Sequence, residues 1–423
     1  MNKKIGNLFK GDKVVWMIFF FLCVISVIEV FSASSTLTFK SENYLWPIFY
    51  HTLMILLGLL ITIVTLNIPC RYFKIATPVL LLISFAMLLW VLAGGESING
   101  ANRVIKIFPG VTFQPSEIAK GTMVLATAQI LSAMQREDGS GADKKAMKYI
   151  LWILLPCVGL IGIENLSTAA LLFLVIMMMM FLGRVPMVQM GKLIGAMSVA
   201  VGIFLALVFT IGSMDKTEEE ARAENATEVL AQDTPQAESD KKKEKSPIEV
   251  VTHRFGTWRN RILNHGSEDV PPEEYDLEKH FQVGHANIAI AQSNVIGKGP
   301  GNSTERDILP QAFSDFIYAI IIEEMGLIGA IVVVFLYIIL LYRAARIASR
   351  CENNFPAFLV MGLSLLLVIQ ACINMMVAVG LMPVTGQPLP LISKGGTSTI
   401  INCAYIGVIL SVSRSAKRVQ TVS

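Results

Sequence analysis

Charge is scarce in this sequence. Asp, Glu, Lys and Arg make up 16% of its 423 residues, against 53% hydrophobic ones, and the mean hydropathy is +0.59. A soluble chain of this length would expose too much apolar surface, and the apolar residues run together in long uncharged stretches, as in a membrane protein. The formal charge of +3 gives no ground for a nucleic-acid partner. No Cys/His cluster has zinc spacing, and none of the 6 cysteines falls in the one long hydrophilic segment, so no disulfide is expected there. Gly297-Lys-Gly-Pro-Gly-Asn-Ser303 lacks the ending and the strand-to-helix setting of a phosphate loop, which argues against a nucleotide site. The first apolar run is too long for a signal-peptide core and is expected to remain as a helix.

Apolar runs lie near 14–33, 47–68, 77–94, 113–134, 149–164, 166–183, 190–212, 316–342, 356–381 and 396–413. A span needs about 20 such residues. The stretch 149–181 is too long for one span and barely enough for two, with Glu164-Asn165 breaking it in the middle. Counting it as two puts Lys10, Lys13, Arg71, Lys74, Arg136, Arg184, Lys192, Arg343, Arg346 and Arg414 on one side. Counting it as one throws the last basic clusters across the bilayer. The expectation is a single polytopic all-α membrane domain over 1–423. It has about ten transmembrane helices, both termini cytoplasmic and one large extracytoplasmic loop, 213–315, between helices 7 and 8.

That loop divides by composition. From Met214 to about residue 250 it is dense in mixed charge and, as far as Ser246, has no aromatic residue. Disorder is expected, with a solvated helix over 218–230 as the alternative. From Thr252 onward Phe255, Trp258, Tyr275 and Phe281 return, and that half is expected to be ordered.

Three polar constellations interrupt the apolar pattern, and ionisable groups at membrane depth need a reason. The fourth span opens Gln114-Pro-Ser-Glu-Ile-Ala-Lys120, with Pro115 suited to a first helical turn. Glu117 and Lys120 share a face at i,i+3, either as a self-satisfied pair gluing helices or as the charged wall of a cavity that meets an anionic substrate. Asp315, where the loop enters the eighth span, suits a helix cap or a carboxylate poised as a general base. Gly380-Leu-Met-Pro-Val-Thr-Gly-Gln-Pro-Leu-Pro-Leu-Ile-Ser-Lys-Gly-Gly396, after Asn374, reads as a re-entrant or tightly folded outer loop. Such backbone is tolerated at depth only when buried in protein or lining a wet cavity. Lys394 within it either offers a cation or snorkels to the surface.

Taken in order, these motifs resemble the SEDS family (shape, elongation, division and sporulation), and within it the division branch. They are Asn99-Gly-Ala-Asn-Arg103, Phe113 to Lys120, Leu309-Pro to Asp315-Phe316, Glu323-Glu-Met-Gly326, and Gly380 to Gly396. The resemblance covers nearly the whole chain except roughly 214–250, which looks like an insertion. It implies a polymerase of peptidoglycan glycan strands in the inner membrane at the division septum. The substrate would be lipid II, an undecaprenyl-pyrophosphate disaccharide-peptide, and the partners a class B penicillin-binding protein transpeptidase and other divisome membrane proteins.

By the same resemblance Asp315 is the catalytic carboxylate, and Arg103, Gln114, Glu117, Lys120, Gln282, Ser393 and Lys394 contact substrate. A divalent cation, Mg or Mn, is the alternative to Arg103, Lys120 or Lys394 for stabilising the departing pyrophosphate. The chain departs from the family pattern at Val104 (usually Trp), Asn165, His285-Ala286 (usually Gln-Ser) and Lys394, where Ser-Tyr-Gly-Gly is usual. An elongation-branch polymerase, a lipid II flippase and a non-catalytic scaffold are the competing readings. Against the flippase, the first five runs and the last five show no convincing internal repeat.

Overall fold

The structure, a computed structural model, describes residues 10–33, 46–94, 96–98, 101–108, 111–137, 140–230, 255–256, 258–259, 263, 281–309 and 312–416. Helices come in the order α1 (Lys13–Ala33), α2 (Trp46–Asn67), α3 (Cys70–Gly94), α4 (Pro115–Ala133), α5 (Lys144–Glu164) and α6 (Leu166–Leu182). Then follow α7 (Met187–Leu230), the short α8 (Phe281–Gln292), α9 (Ile317–Ala348), α10 (Asn354–Ala378) and α11 (Thr397–Ser415). Every predicted apolar run coincides with one of the long helices. Seven of them, α1, α2, α3, α5, α7, α9 and α10, are long and apolar enough to cross a bilayer, and α6 is apolar but has 17 residues.

The chain forms two compact units, Met1–Gln189 with Phe281–Ser423, and Met190–His280. In the second unit the rings of Phe204, Phe255 and Trp258 cluster with centroids 5.4–6.1 Å apart. In the first, α10 is central: it packs against α9, α4, α6 and α11, and 61% of its apolar window is buried, the largest share among the seven. Polar side chains are enclosed while apolar ones face outward along the helices. Leu53, Leu56, Leu57, Leu60 and Val64 form an exposed stripe along α2, while Ser26, Glu29, Lys120 and Glu324 are enclosed. A hydrocarbon solvent favours this inversion.

Local chemistry sets the helix ends. Asp12 Oδ1 accepts from Val14 N at 2.9 Å and Val15 N at 3.2 Å, and Arg343 binds the same carboxylate, so the segment before α1 is tied to α9. Pro115 opens α4, where a missing N–H is harmless. The doubtful stretch divides at Asn165, which ends α5 and caps α6 by accepting from Thr168 N at 3.2 Å. Within α9 the helix breaks at Gly326 (φ 69°, ψ −170°). A Cβ there would meet Val295 O at 2.4 Å, and one on Gly297 (φ 81°) would meet Glu324 O at 2.3 Å. The two backbones therefore touch where only glycine fits.

The chain is nearly all helical, as expected, and the structure adds three details. A small sheet is the first: β1 (Glu96–Ile98), β2 (Ala101–Phe108) and β3 (Val111–Phe113) form an antiparallel three-stranded sheet in the order β1-β2-β3. Its signals were short, Asn99-Gly100 and Pro109-Gly110 flanking an eight-residue segment with Val104, Ile105 and Ile107. Arg103 lies on β2. The third helix begins at Cys70, not near 77, because helix runs on through Arg71 and Lys74 at its polar end. And α7 continues past 213 as far as Leu230, through the Glu- and Ala-rich residues that favour helix, while 231–250 lie outside the described residues.

Candidate active site

The α10–α11 segment, 379–396, is irregular, yet most of 387–393 is buried. Its carbonyls are satisfied by side chains from the surrounding helices, as buried backbone requires. Asn374 Nδ2 donates to Gln387 O at 2.7 Å and Gln370 Nε2 to Pro388 O at 3.0 Å. Tyr337 OH donates to Pro390 O and Ser26 Oγ to Ile392 O, the latter at 2.6 Å. Gln387 Nε2 reaches Thr168 Oγ1 at 2.7 Å, joining the segment to the α6 cap. The irregular loop expected from its prolines and glycines is thus lodged in protein.

The same segment holds the approach to α9. Lys394 N donates to Phe313 O at 2.9 Å, Ser393 Oγ to Ser314 O at 2.6 Å, and Asn374 Nδ2 to Asp315 O at 2.8 Å. Three consecutive carbonyls are thus fixed. Asp315 itself is half-buried; its Oδ1 accepts from Ser314 Oγ at 2.9 Å, and its Oδ2 lies 3.5 Å from where Gly386 would carry a Cβ. The N-cap of α9 is Phe316, one residue further on, so Asp315 does not occupy the cap position.

Lys394 lies half-buried with its ammonium 5.2 Å from the centroid of the Phe313 ring. Burial lowers its pKa below the usual lysine value.

Glu117 and Lys120 pair at 2.8 Å, with 2% and 0% of their surfaces exposed. Lys120 Nζ also donates to Gln370 Oε1 at 2.8 Å, and Tyr405 OH donates to Glu117 O. The pair therefore joins α4 to α10 and presents no cationic group outward. It reaches the re-entrant loop indirectly, through Gln370. Gln114 stands half-buried at the start of α4, its Nε2 donating to Ser116 Oγ at 3.1 Å. Gln282 is half-buried on α8, away from this frame; one turn on, His285 Nδ1 donates to Glu305 Oε2 at 2.7 Å. The Arg103 side chain lies outside the described residues.

The glycine-rich run before α9 has a structural role. Gly301 N and Ser303 N donate to the Glu324 carboxylate and Thr304 N to Glu323 Oε1, while Lys298 Nζ pairs with Glu323 at 2.6 Å. The N–H groups that would cradle a phosphate are bound to buried carboxylates. Gln370, Gln387 and Thr168 are the members of the site that sequence reasoning missed. Their only signal was an amide or hydroxyl within an otherwise apolar stretch. Among the described residues no group of three or more His, Cys, Asp or Glu is placed to hold a metal ion.

Membrane-length helices around an irregular, buried polar loop that holds a carboxylate segment define a multi-pass helical membrane protein with a loop-built site. The chain belongs to the FtsW/RodA/SpoVE family of cell cycle proteins, whose family model matches residues 12–218 and 249–418. It is 29% identical over 367 residues to the probable peptidoglycan glycosyltransferase FtsW of Idiomarina loihiensis, covering 86% of this chain and 76% of that protein. It is 27% identical over 403 residues to the peptidoglycan glycosyltransferase MrdB of Escherichia coli K12, covering 95% and 93%. Among solved structures it matches Thermus thermophilus RodA with a TM-score of 0.62 at 20% identity, over 97% and 99% of the chains. It also matches a chain from work on structural coordination of polymerization and crosslinking by a peptidoglycan synthase complex. There the TM-score is 0.68 at 24% identity, over 96% and 98%.

Proposed function

We propose that this chain is a peptidoglycan glycosyltransferase that polymerises glycan strands from lipid II at the outer face of the cytoplasmic membrane, with Asp315 as general base. The observation that carries the reading is the setting of Asp315. Its backbone is clamped by Asn374 and the re-entrant loop, its carboxylate is half-buried, and it leaves the helix cap to Phe316. A carboxylate held in this way is suited to proton abstraction rather than to capping.

In the reaction, Asp315 takes the proton from the 4-hydroxyl of the acceptor sugar as that oxygen bonds to C1 of the donor. The C1–O bond to phosphate breaks on the opposite face, and its electron pair leaves with undecaprenyl pyrophosphate. The α-linked donor becomes a β-1,4 product, with no covalent enzyme intermediate. A general base contributes roughly 10²–10⁴-fold to rate. Asp315→Asn is expected to fold and insert normally and to make no glycan polymer from purified lipid II. Near-parental polymerisation by that variant would remove the base assignment.

A transpeptidase of the class B penicillin-binding type is the partner that fits this activity, since newly polymerised strands require crosslinking. We assign the cellular role to septal synthesis, on the likeness of the motifs to the division branch. Relatives named FtsW and MrdB match at similar identity, so complementation is the test. The chain is expected to restore division to cells depleted of their division polymerase. Rescue only of cells depleted of the elongation polymerase would reverse the role and leave the chemistry intact.

A further inference from the structure

We infer that Lys394 is the cation that receives the pyrophosphate of the lipid-linked donor. The inference rests on the glycosyltransferase reading above. The described cations that the motifs supply differ sharply in availability. Lys120 is fully enclosed and committed to Glu117 and Gln370. Lys298 binds Glu323 and Gln292, each at 2.6 Å, and Thr304 at 3.0 Å. Arg306 donates to Ser32 Oγ at 2.9 Å and lies 3.9 Å from Glu324. Lys394 forms no ion pair among the described residues, and its contact is the face of Phe313. His51 is in electrostatic contact with it, but that ring is held 2.9 Å from Ser26 Oγ. Ser26 spends its own proton on Ile392 O, so His51 Nε2 is the donor in that bond. Among the described residues no acidic group forms an ion pair with the ammonium.

A half-buried ammonium without a counter-charge is costly, and an anion seated against it removes the cost. Pyrophosphate supplies that charge, and more of it as the C1–O bond breaks. Placement agrees. Lys394 N and Ser393 Oγ are bonded to the carbonyls of Phe313 and Ser314, the two residues preceding Asp315. Ammonium and carboxylate thus ride on one small frame, as a displacement needs when the proton is taken on one side of C1 and the leaving group departs on the other. The family's usual residue at this position is Tyr, so the cation is a departure of this chain from the family pattern.

The test is equilibrium binding of undecaprenyl pyrophosphate to the purified full chain in nanodiscs, with inorganic pyrophosphate and phosphatidylglycerol as separate probes. A charge-assisted contact is worth about 1.5–3 kcal/mol, so Lys394→Gln is expected to weaken binding of undecaprenyl pyrophosphate by roughly ten- to a hundredfold. Lys394→Arg should retain it, and added salt should weaken the parent's binding. Unchanged affinity in Lys394→Gln, or parental binding indifferent to salt, overturns the inference. So does equal loss of phosphatidylglycerol binding, which would make Lys394 a general lipid-headgroup contact. Because binding is read without turnover, these results stand apart from whether Asp315→Asn polymerises.

Discussion

Asn374 gives one amide hydrogen to the carbonyl oxygen of Asp315, at 2.8 Å, and the other to that of Gln387, at 2.7 Å. One side chain in the middle of the bundle therefore sets both the candidate base and the loop opposite it. One turn earlier on α10, Gln370 repeats the device between Lys120 and Pro388 O. Helical residues four apart share a face, so the two amides form a single bracket.

Removing that bracket should act on rate more than on substrate binding. Asn374→Ala leaves two buried carbonyls without donors, at about 1–3 kcal/mol each, and frees the backbone beneath Asp315. A displacement near 1 Å can cost about a hundredfold in rate. The expected result in lipid II polymerisation is a kcat lowered by roughly that factor with KM changed little. Asn374→Asp, which cannot donate to either carbonyl when ionised, should be no better. A rise in KM alone would show that Asn374 contacts substrate instead of positioning the base.

The Glu117–Lys120 pair gives a stability prediction. Lys120→Met strands a buried carboxylate, and breaking a buried pair costs about 3–5 kcal/mol, so thermal unfolding in detergent should come markedly earlier. Combining it with Glu117→Gln removes the charge and should recover most of the loss. If the pair only joins α4 to α10, the double variant polymerises lipid II within a few-fold of the parent. Restored stability with abolished polymerisation would mean that the charges themselves meet substrate.

The pH profile follows from Asp315 and Lys394. Polymerisation needs the first ionised and the second protonated, so rate rises as Asp315 loses its proton and falls as Lys394 does. Burial lowers the Lys394 pKa, which brings the alkaline fall in kcat/KM to lower pH than an exposed lysine would give. An anion bound at the ammonium raises that pKa again, so kcat should fall later than kcat/KM. The stability sign is opposite: the folded state binds this proton less readily than the unfolded chain. The penalty for burying Lys394 is therefore present at low pH and relieved as pH climbs from the lowered value to the ordinary lysine one. Lys394→Arg keeps its charge throughout and should lose the alkaline limb. A limb unchanged in that variant would assign it to another group.

What the sequence determined by itself was where the chain becomes helical and which segments carry polar chemistry. Contact with hydrocarbon is a property of each apolar run, so ten runs and the ten long helices coincide, and Asn165 could be suspected as a break from its neighbours alone. Motif order was likewise local enough to reveal the family. Tertiary structure decided the partners. Thr168 and Gln387 stand 219 residues apart, and Lys120 and Gln370 stand 250 apart; nothing in either neighbourhood names the other. An amide in an apolar run looks the same whether it meets lipid, a carbonyl or a lysine. The paired carbonyls of the re-entrant loop, the enclosure of Lys120 and the displacement of Asp315 from the cap arise only when distant backbone must find donors inside the bundle. For that reason the sequence could nominate several cations for the departing pyrophosphate, and only the packed molecule shows Lys120 committed to Glu117 and Gln370 while Lys394 has no ion pair among the described residues.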